Sequence, residues 1–168
     1  MRYELFFYRP VPGRSLREIY QVDISERDRD EAIMEPHRAI DMAGLESALT
    51  PLGFKRTVDK DAFGSGHDCD QRDADCIELV LEVGETEGAV AEVWECHASL
   101  HIPLGEQHLN RDEQIEGLLR SFCVACHDQG LMGYDPKHDR ELTPSSLHVL
   151  AEEITHGEAK GKPWWKLW

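Results

Sequence analysis

Apolar and polar residues alternate most regularly between Trp94 and Pro103 (WECHASLHIP). Trp94, Cys96, Ala98, Leu100 and Ile102 fall on one side, and Glu95, His97, Ser99 and His101 on the other. A period of two ended by a proline predicts a β-strand with one dry face and one polar face. Just upstream, Ile77, Leu79, Leu81 and Val83 alternate with Glu78, Val80 and Glu82. Gly84-Glu85-Thr86-Glu87-Gly88 lies between the two runs, so the pair is expected to be a β-hairpin closed by a glycine-bracketed loop. Residues 3–9, YELFFYR, predict a first strand whose two faces are both rather apolar, which suits the middle of a sheet.

Helical signals fill the intervals. Ser15 is the expected cap of a short helix through Tyr20, and Ser25 with Asp28 resembles a capping box for another through Met34, stopped before Pro36. Residues 37–50 place Met42, Leu45 and Leu49 on one side, with Leu52 continuing the row, and predict the first substantial helix. Residues 55–75 have no periodicity and read as an exposed acidic loop with room for a short edge segment. Asn110 then opens a long helix with the stripe Ile115, Leu118, Leu119, Phe122, Cys123 and Cys126, and Gly130 is placed to end it. Leu131 to Asp135 reads as a last strand. A further helix has Thr143 as cap, Pro144 in its first turn, and Leu147, Leu150, Ala151 and Ile154 on one side, with Gly157 closing it.

This order matches the βαββαβ pattern of the ferredoxin-like sandwich. That is an α+β fold whose antiparallel sheet carries its helices on one face, here with an added C-terminal helix. Residues 1–157 are expected to form one domain, and residues 158–168 a flexible tail rich in tryptophan, Trp164, Trp165 and Trp168 being its anchors. The second strand of the hairpin should lie beside the first strand of the chain. The uncovered sheet face would then carry Glu95, His97, Ser99 and His101, flanked by Glu78, Val80 and Glu82 and by Glu4, Phe6 and Tyr8.

Charge narrows the partners. The formal net charge is −15, and residues 59–95 hold twelve acids against two bases. Nucleic acid and anionic membranes are therefore poor partners, while a basic protein suits the sign. No leader-like or membrane-length run is found, which predicts a cytoplasmic chain whose five cysteines stay reduced.

Tyr3-Glu4-Leu5, Ile77-Glu78-Leu79, Ala98-Ser99-Leu100-His101-Ile102-Pro103 and Gly130-Leu131-Met132-Gly133-Tyr134-Asp135-Pro136 together resemble a group of small bacterial proteins. That group opens with a Tyr-acid-Leu strand and closes with a Gly-x-x-x-Tyr-Asp-Pro strand after a long helix. The resemblance covers residues 3–8 and 77–137, and departs from the group's usual glutamine at Lys137. It implies an immunity-like accessory protein of the kind found near toxin genes, and carries no catalytic residues.

Cys123-Val124-Ala125-Cys126-His127 matches the haem c attachment pattern, but its cysteines complete an apolar helix stripe, so core packing is the expectation. A zinc site from Cys96, Cys123 and Cys126 is disfavoured because the histidines fall on the other face of the strand. Asp68, Asp70, Asp73 and Asp75 lack the ligand order of a calcium loop. His97 and His101, four strand residues apart, lie about 13 Å from one another and cannot share an ion. The expectation is an acidic protein-binding module that masks a basic toxin or enzyme, without catalytic residues, cofactor or metal. It would use the polar strand face, the acidic loop and the Trp-rich tip. The alternatives are a small enzyme or metal-binding protein on the His97/Glu95 face, and a homodimer packed through the open sheets.

Overall fold

A computed structural model describes residues 2–27, 39–57, 76–81, 88–103 and 111–156. Their order is β1 (Arg2–Tyr8), α1 (Leu16–Arg27), α2 (Met42–Leu49), a 3-10 turn (Thr50–Leu52), β2 (Phe54–Arg56), β3 (Cys76–Leu81), β4 (Val90–Trp94), β5 (Ala98–Pro103), α3 (Arg111–Asp128), β6 (Met132–Asp135), β7 (Arg140–Glu141) and α4 (Leu147–His156). The seven strands form one antiparallel sheet in the order β2-β3-β4-β5-β1-β6-β7. The fold is α+β, but this order is not that of a simple βαββαβ sandwich.

Two expectations change. The alternating stretch 94–103 is not one strand. Trp94 ends β4, and a tight turn closed by the Trp94 N–H donating to the His97 carbonyl (2.9 Å) leads into β5. The predicted hairpin is thus a meander of three strands, with β4 inserted between the two runs. Gly88 closes the first connection with φ of 85°, which only glycine adopts without strain, and its N–H donates to the Leu81 carbonyl. The second turn contains no glycine, and no residue within it has a positive φ. It uses ordinary backbone conformations, so no residue type announces it.

The second change concerns the helices. Leu45 and Leu49 of α2, Ile115, Leu119, Phe122 and Cys126 of α3, and Leu147, Leu150, Ala151 and Ile154 of α4 pack on one sheet face against Leu5, Phe7, Leu79, Ala91, Leu100 and Ile102. Helix α1 instead covers the opposite face, where Leu16 and Ile19 pack on Phe6, Tyr8 and Tyr134. The two apolar faces of β1 now have their explanation. The strand pairs β5 on one side and β6 on the other, and is buried from above and below.

The helix ends follow local chemistry. The Ser15 backbone N–H donates to Glu18 Oε2 (2.7 Å) and the Glu18 N–H donates to Ser15 Oγ (3.3 Å), a reciprocal cap that starts α1 where expected. The helix runs past Tyr20 to Arg27. Ser25 lies inside it, its hydroxyl donating to the Val22 carbonyl rather than capping a new helix. The expected segment through Met34 lies outside the described residues, as does Asn110. Asp41 caps α2, accepting from the Gly44 N–H at 2.9 Å. The short β2 is the expected edge segment, and β7 is an addition. Among the described residues no helix is long and apolar enough to cross a membrane.

Candidate functional site

Strand register assembles the polar face. Glu4 pairs with His101, Phe6 and Glu92 both pair with Ser99, and Glu78 pairs with Glu92. His97, Ser99, His101, Glu78, Val80, Glu4, Phe6 and Tyr8 thus share the face expected for them. Glu95 does not. It sits exposed in the β4–β5 turn, while Glu92 and Trp94 occupy the face instead. Nor is the centre of the face open: His97, Ser99 and His101 are 4%, 1% and 9% exposed.

At one end of the face, α1 and the β4–β5 turn bring Asp23, Cys96 and His97 together. Asp23, on α1 and 3% exposed, accepts a hydrogen bond from Tyr8 Oη at 2.8 Å through Oδ2. Cys96 Sγ lies 3.6 Å from Asp23 Oδ1 and 3.5 Å from His97 Nδ1, and His97 Nδ1 lies 3.7 Å from Asp23 Oδ2. Trp94 stacks on the His97 ring at 5.9 Å, and Phe6 and Tyr8 tilt against it. The expectation that Cys96 faces the core with Cys123 and Cys126 is overturned. The turn reverses the alternation, so Cys96 and His97 meet on the α1 side and the helix cysteines lie across the sheet. Cys126 belongs to the core there, and burial pushes its thiol well above the usual range and that of Cys123 up to about 12.

Further along β5, Ser99 Oγ and His101 Nε2 share a hydrogen bond of 2.9 Å. His101 Nδ1 is 3.4 Å from Glu4 Oε1, and Nε2 is 3.5 Å from Glu92 Oε2. This is the connectivity of a serine–histidine–carboxylate triad. Its electrostatics are the reverse of one. Burial works against the imidazolium, but hydrogen bonds to Glu4 and Glu92, reinforced by their charges, prevail and push His101 up to about 9. The bond from His101 in turn holds Glu92 below the usual carboxylate range. A charged histidine cannot take the Ser99 proton, so the network stores a cation at neutral pH rather than activating a nucleophile.

A third cluster joins residues that the sequence shows only as separate motifs. Tyr3 Oη donates to Asp135 at 3.0 Å and meets His138 Nδ1 at 2.9 Å, while His138 Nδ1 lies 2.8 Å from Asp135 Oδ2. Arg140 Nε donates to the same carboxylate at 3.2 Å, and its Nη2 donates to Glu153 of α4. Lys137 Nζ sits 4.8 Å over the Tyr3 ring. Burial, then the charge of Asp135, raises the Tyr3 phenol far above its ordinary range. The tyrosine of the opening strand and the aspartate of the closing strand are therefore one buried unit. A tyrosine at one end of a chain and an Asp-Pro at the other give no cue to pairing without the β1–β6 register.

Glu82, Asp68, Asp70, Asp73, Asp75, Trp164, Trp165 and Trp168 lie outside the described residues. No family model, curated protein or solved structure matches this chain.

Proposed function

We propose that this chain is an acidic protein-binding module that covers a basic partner, in the manner of an immunity protein masking a toxin or enzyme. The observation that carries the reading is the row of acids on the sheet. Glu78 and Glu92 stand directly opposite one another on β3 and β4, and Glu4 follows across β5 with a side chain half exposed. Like charges in register across two strands cost stability. The His101 cation offsets part of that repulsion at Glu4 and Glu92, a basic partner relieves the rest at Glu78 on binding, and the net charge of −15 steers it in. His101, held charged between Glu4 and Glu92, is not a general base for Ser99 at neutral pH.

Affinity capture from the native cell at low and high salt tests the reading. A basic protein retained at low salt, released by salt, and bound less well by Glu78→Lys is expected. Capture of no basic protein, or binding indifferent to salt and to Glu78→Lys, overturns it. A concentration-dependent dimer with no other partner assigns the sheet to self-association instead.

A further inference from the structure

We infer that Asp23, Cys96 and His97 form a binding site for a zinc-class transition-metal ion that ties α1 to the β4–β5 turn. The inference is independent of the partner-binding reading. Zinc holds thiolate sulfur at about 2.3 Å and imidazole nitrogen or carboxylate oxygen at about 2.0–2.2 Å, so the donors around a tetrahedral ion lie about 3.3–3.6 Å apart. The three separations here are 3.5 Å for sulfur to nitrogen, 3.6 Å for sulfur to Asp23 Oδ1 and 3.7 Å for nitrogen to Asp23 Oδ2. The last is too long for an N–H···O hydrogen bond, whose range is about 2.7–3.2 Å. The thiol is also within sulfur hydrogen-bond reach of both partners, but the His97–Asp23 pair is not joined by such a bond, and two buried polar side chains and a partly exposed thiol converge at separations close to those of a coordination sphere that takes either Asp23 oxygen.

The backbone explains how adjacent residues can do this. In a strand, Cys96 and His97 would point to opposite faces. The turn closed by Trp94 and His97 brings both to the α1 side, and Asp23 of α1 meets them there on the same face. The support around the donors is also that of a metal site. Tyr8 Oη donates to the Asp23 carboxylate, as outer hydrogen bonds do to orient a ligand, and Trp94, Phe6 and Tyr8 wall the histidine ring. The donor set decides the class of ion. Calcium asks for six to eight oxygens and magnesium for octahedral oxygen, whereas sulfur, imidazole nitrogen and one carboxylate suit zinc and its neighbours. Cys96 is the partly exposed donor, so the ion enters on its side, and the thiol loses its proton to solvent on binding.

Cobalt(II) titrated into the reduced, tag-free full chain tests the site. One equivalent should bind with a thiolate-to-cobalt charge-transfer band that zinc abolishes. The band should vanish in Cys96→Ser and persist in Cys69→Ser and Cys76→Ser. Asp23→Asn should weaken binding at least tenfold, and Tyr8→Phe by about 10–100-fold, as outer-shell changes do. In the unaltered protein, zinc should slow alkylation of Cys96 but not of Cys76, mapped by peptide mass, a readout that needs no variant to fold. Absence of a stoichiometric band, a band that survives Cys96→Ser, or Cys96 alkylation at the same rate with and without zinc overturns the inference.

Discussion

His101 shows how a single residue is set by its neighbours. It is nearly buried, which disfavours its charge, yet Glu4 and Glu92 hold the imidazolium up to about 9 against an ordinary value of 6.5. A group whose folded value lies above its unfolded value stabilises the fold fully below the unfolded value and loses that contribution as pH rises through the folded one. Urea midpoints should therefore fall between pH 6.5 and 9, and His101→Gln should flatten that fall. The full shift would correspond to about 3 kcal/mol, and with Glu4 half in water about 1–2 kcal/mol is expected. A pH profile unchanged by His101→Gln would show that the two carboxylates do not hold the proton. The sequence places His101 on the polar face with Ser99 and sets Glu4 on the flanking strand, but it misses Glu92, because β4, which carries that carboxylate to His101, is hidden by the alternation.

Elements are joined most tightly at Asp135. Its carboxylate is fully buried and takes hydrogen bonds from Tyr3 of β1, from the Lys137 backbone N–H and from Arg140 of β7, while Arg140 also grips Glu153 of α4. Removing one partner of a buried charged network leaves the others unpaired, at a cost of about 3–5 kcal/mol. Asp135→Ala should lower the unfolding free energy by that amount in chemical denaturation, and a loss under about 1 kcal/mol would mean that water replaces the carboxylate. The elements themselves were largely legible. The 3.6-residue stripes mark the inner faces of α3 and α4, and alternation marks β1, β3 and β5. What alternation concealed was the β4–β5 turn, because Trp94 to Ile102 keeps its period through a reversal built without glycine or proline.

At the scale of the molecule, the sheet is covered on one face by α2, α3 and α4 and in part on the other by α1. The tip Pro163-Trp164-Trp165-Lys166-Leu167-Trp168 is apolar and follows a stretch with the composition of a tether, Glu158 to Lys162. Tryptophan combines large buried area with a hydrogen-bond donor and is favoured as an anchor in protein pockets. Deleting residues 158–168 should leave the melting temperature within a few degrees while weakening association or partner binding. Unfolding or aggregation of the truncated protein would assign the tip to the core instead.

Local chemistry alone determined much of this protein: the two apolar faces that suit β1 to the middle of the sheet, the reciprocal cap at Ser15, the glycine ends at Gly88 and Gly130, and the identity of the helix stripes. Each depends on residues within a turn or two of one another, so pattern and propensity suffice. The face on which α1 lies, the insertion of β4, the union of Tyr3 with Asp135, and the meeting of Asp23 with Cys96 and His97 were decided only by the tertiary structure. These depend on which strands pair and on which side a connection passes. Such choices are governed by the summed burial of distant side chains, which no local period records.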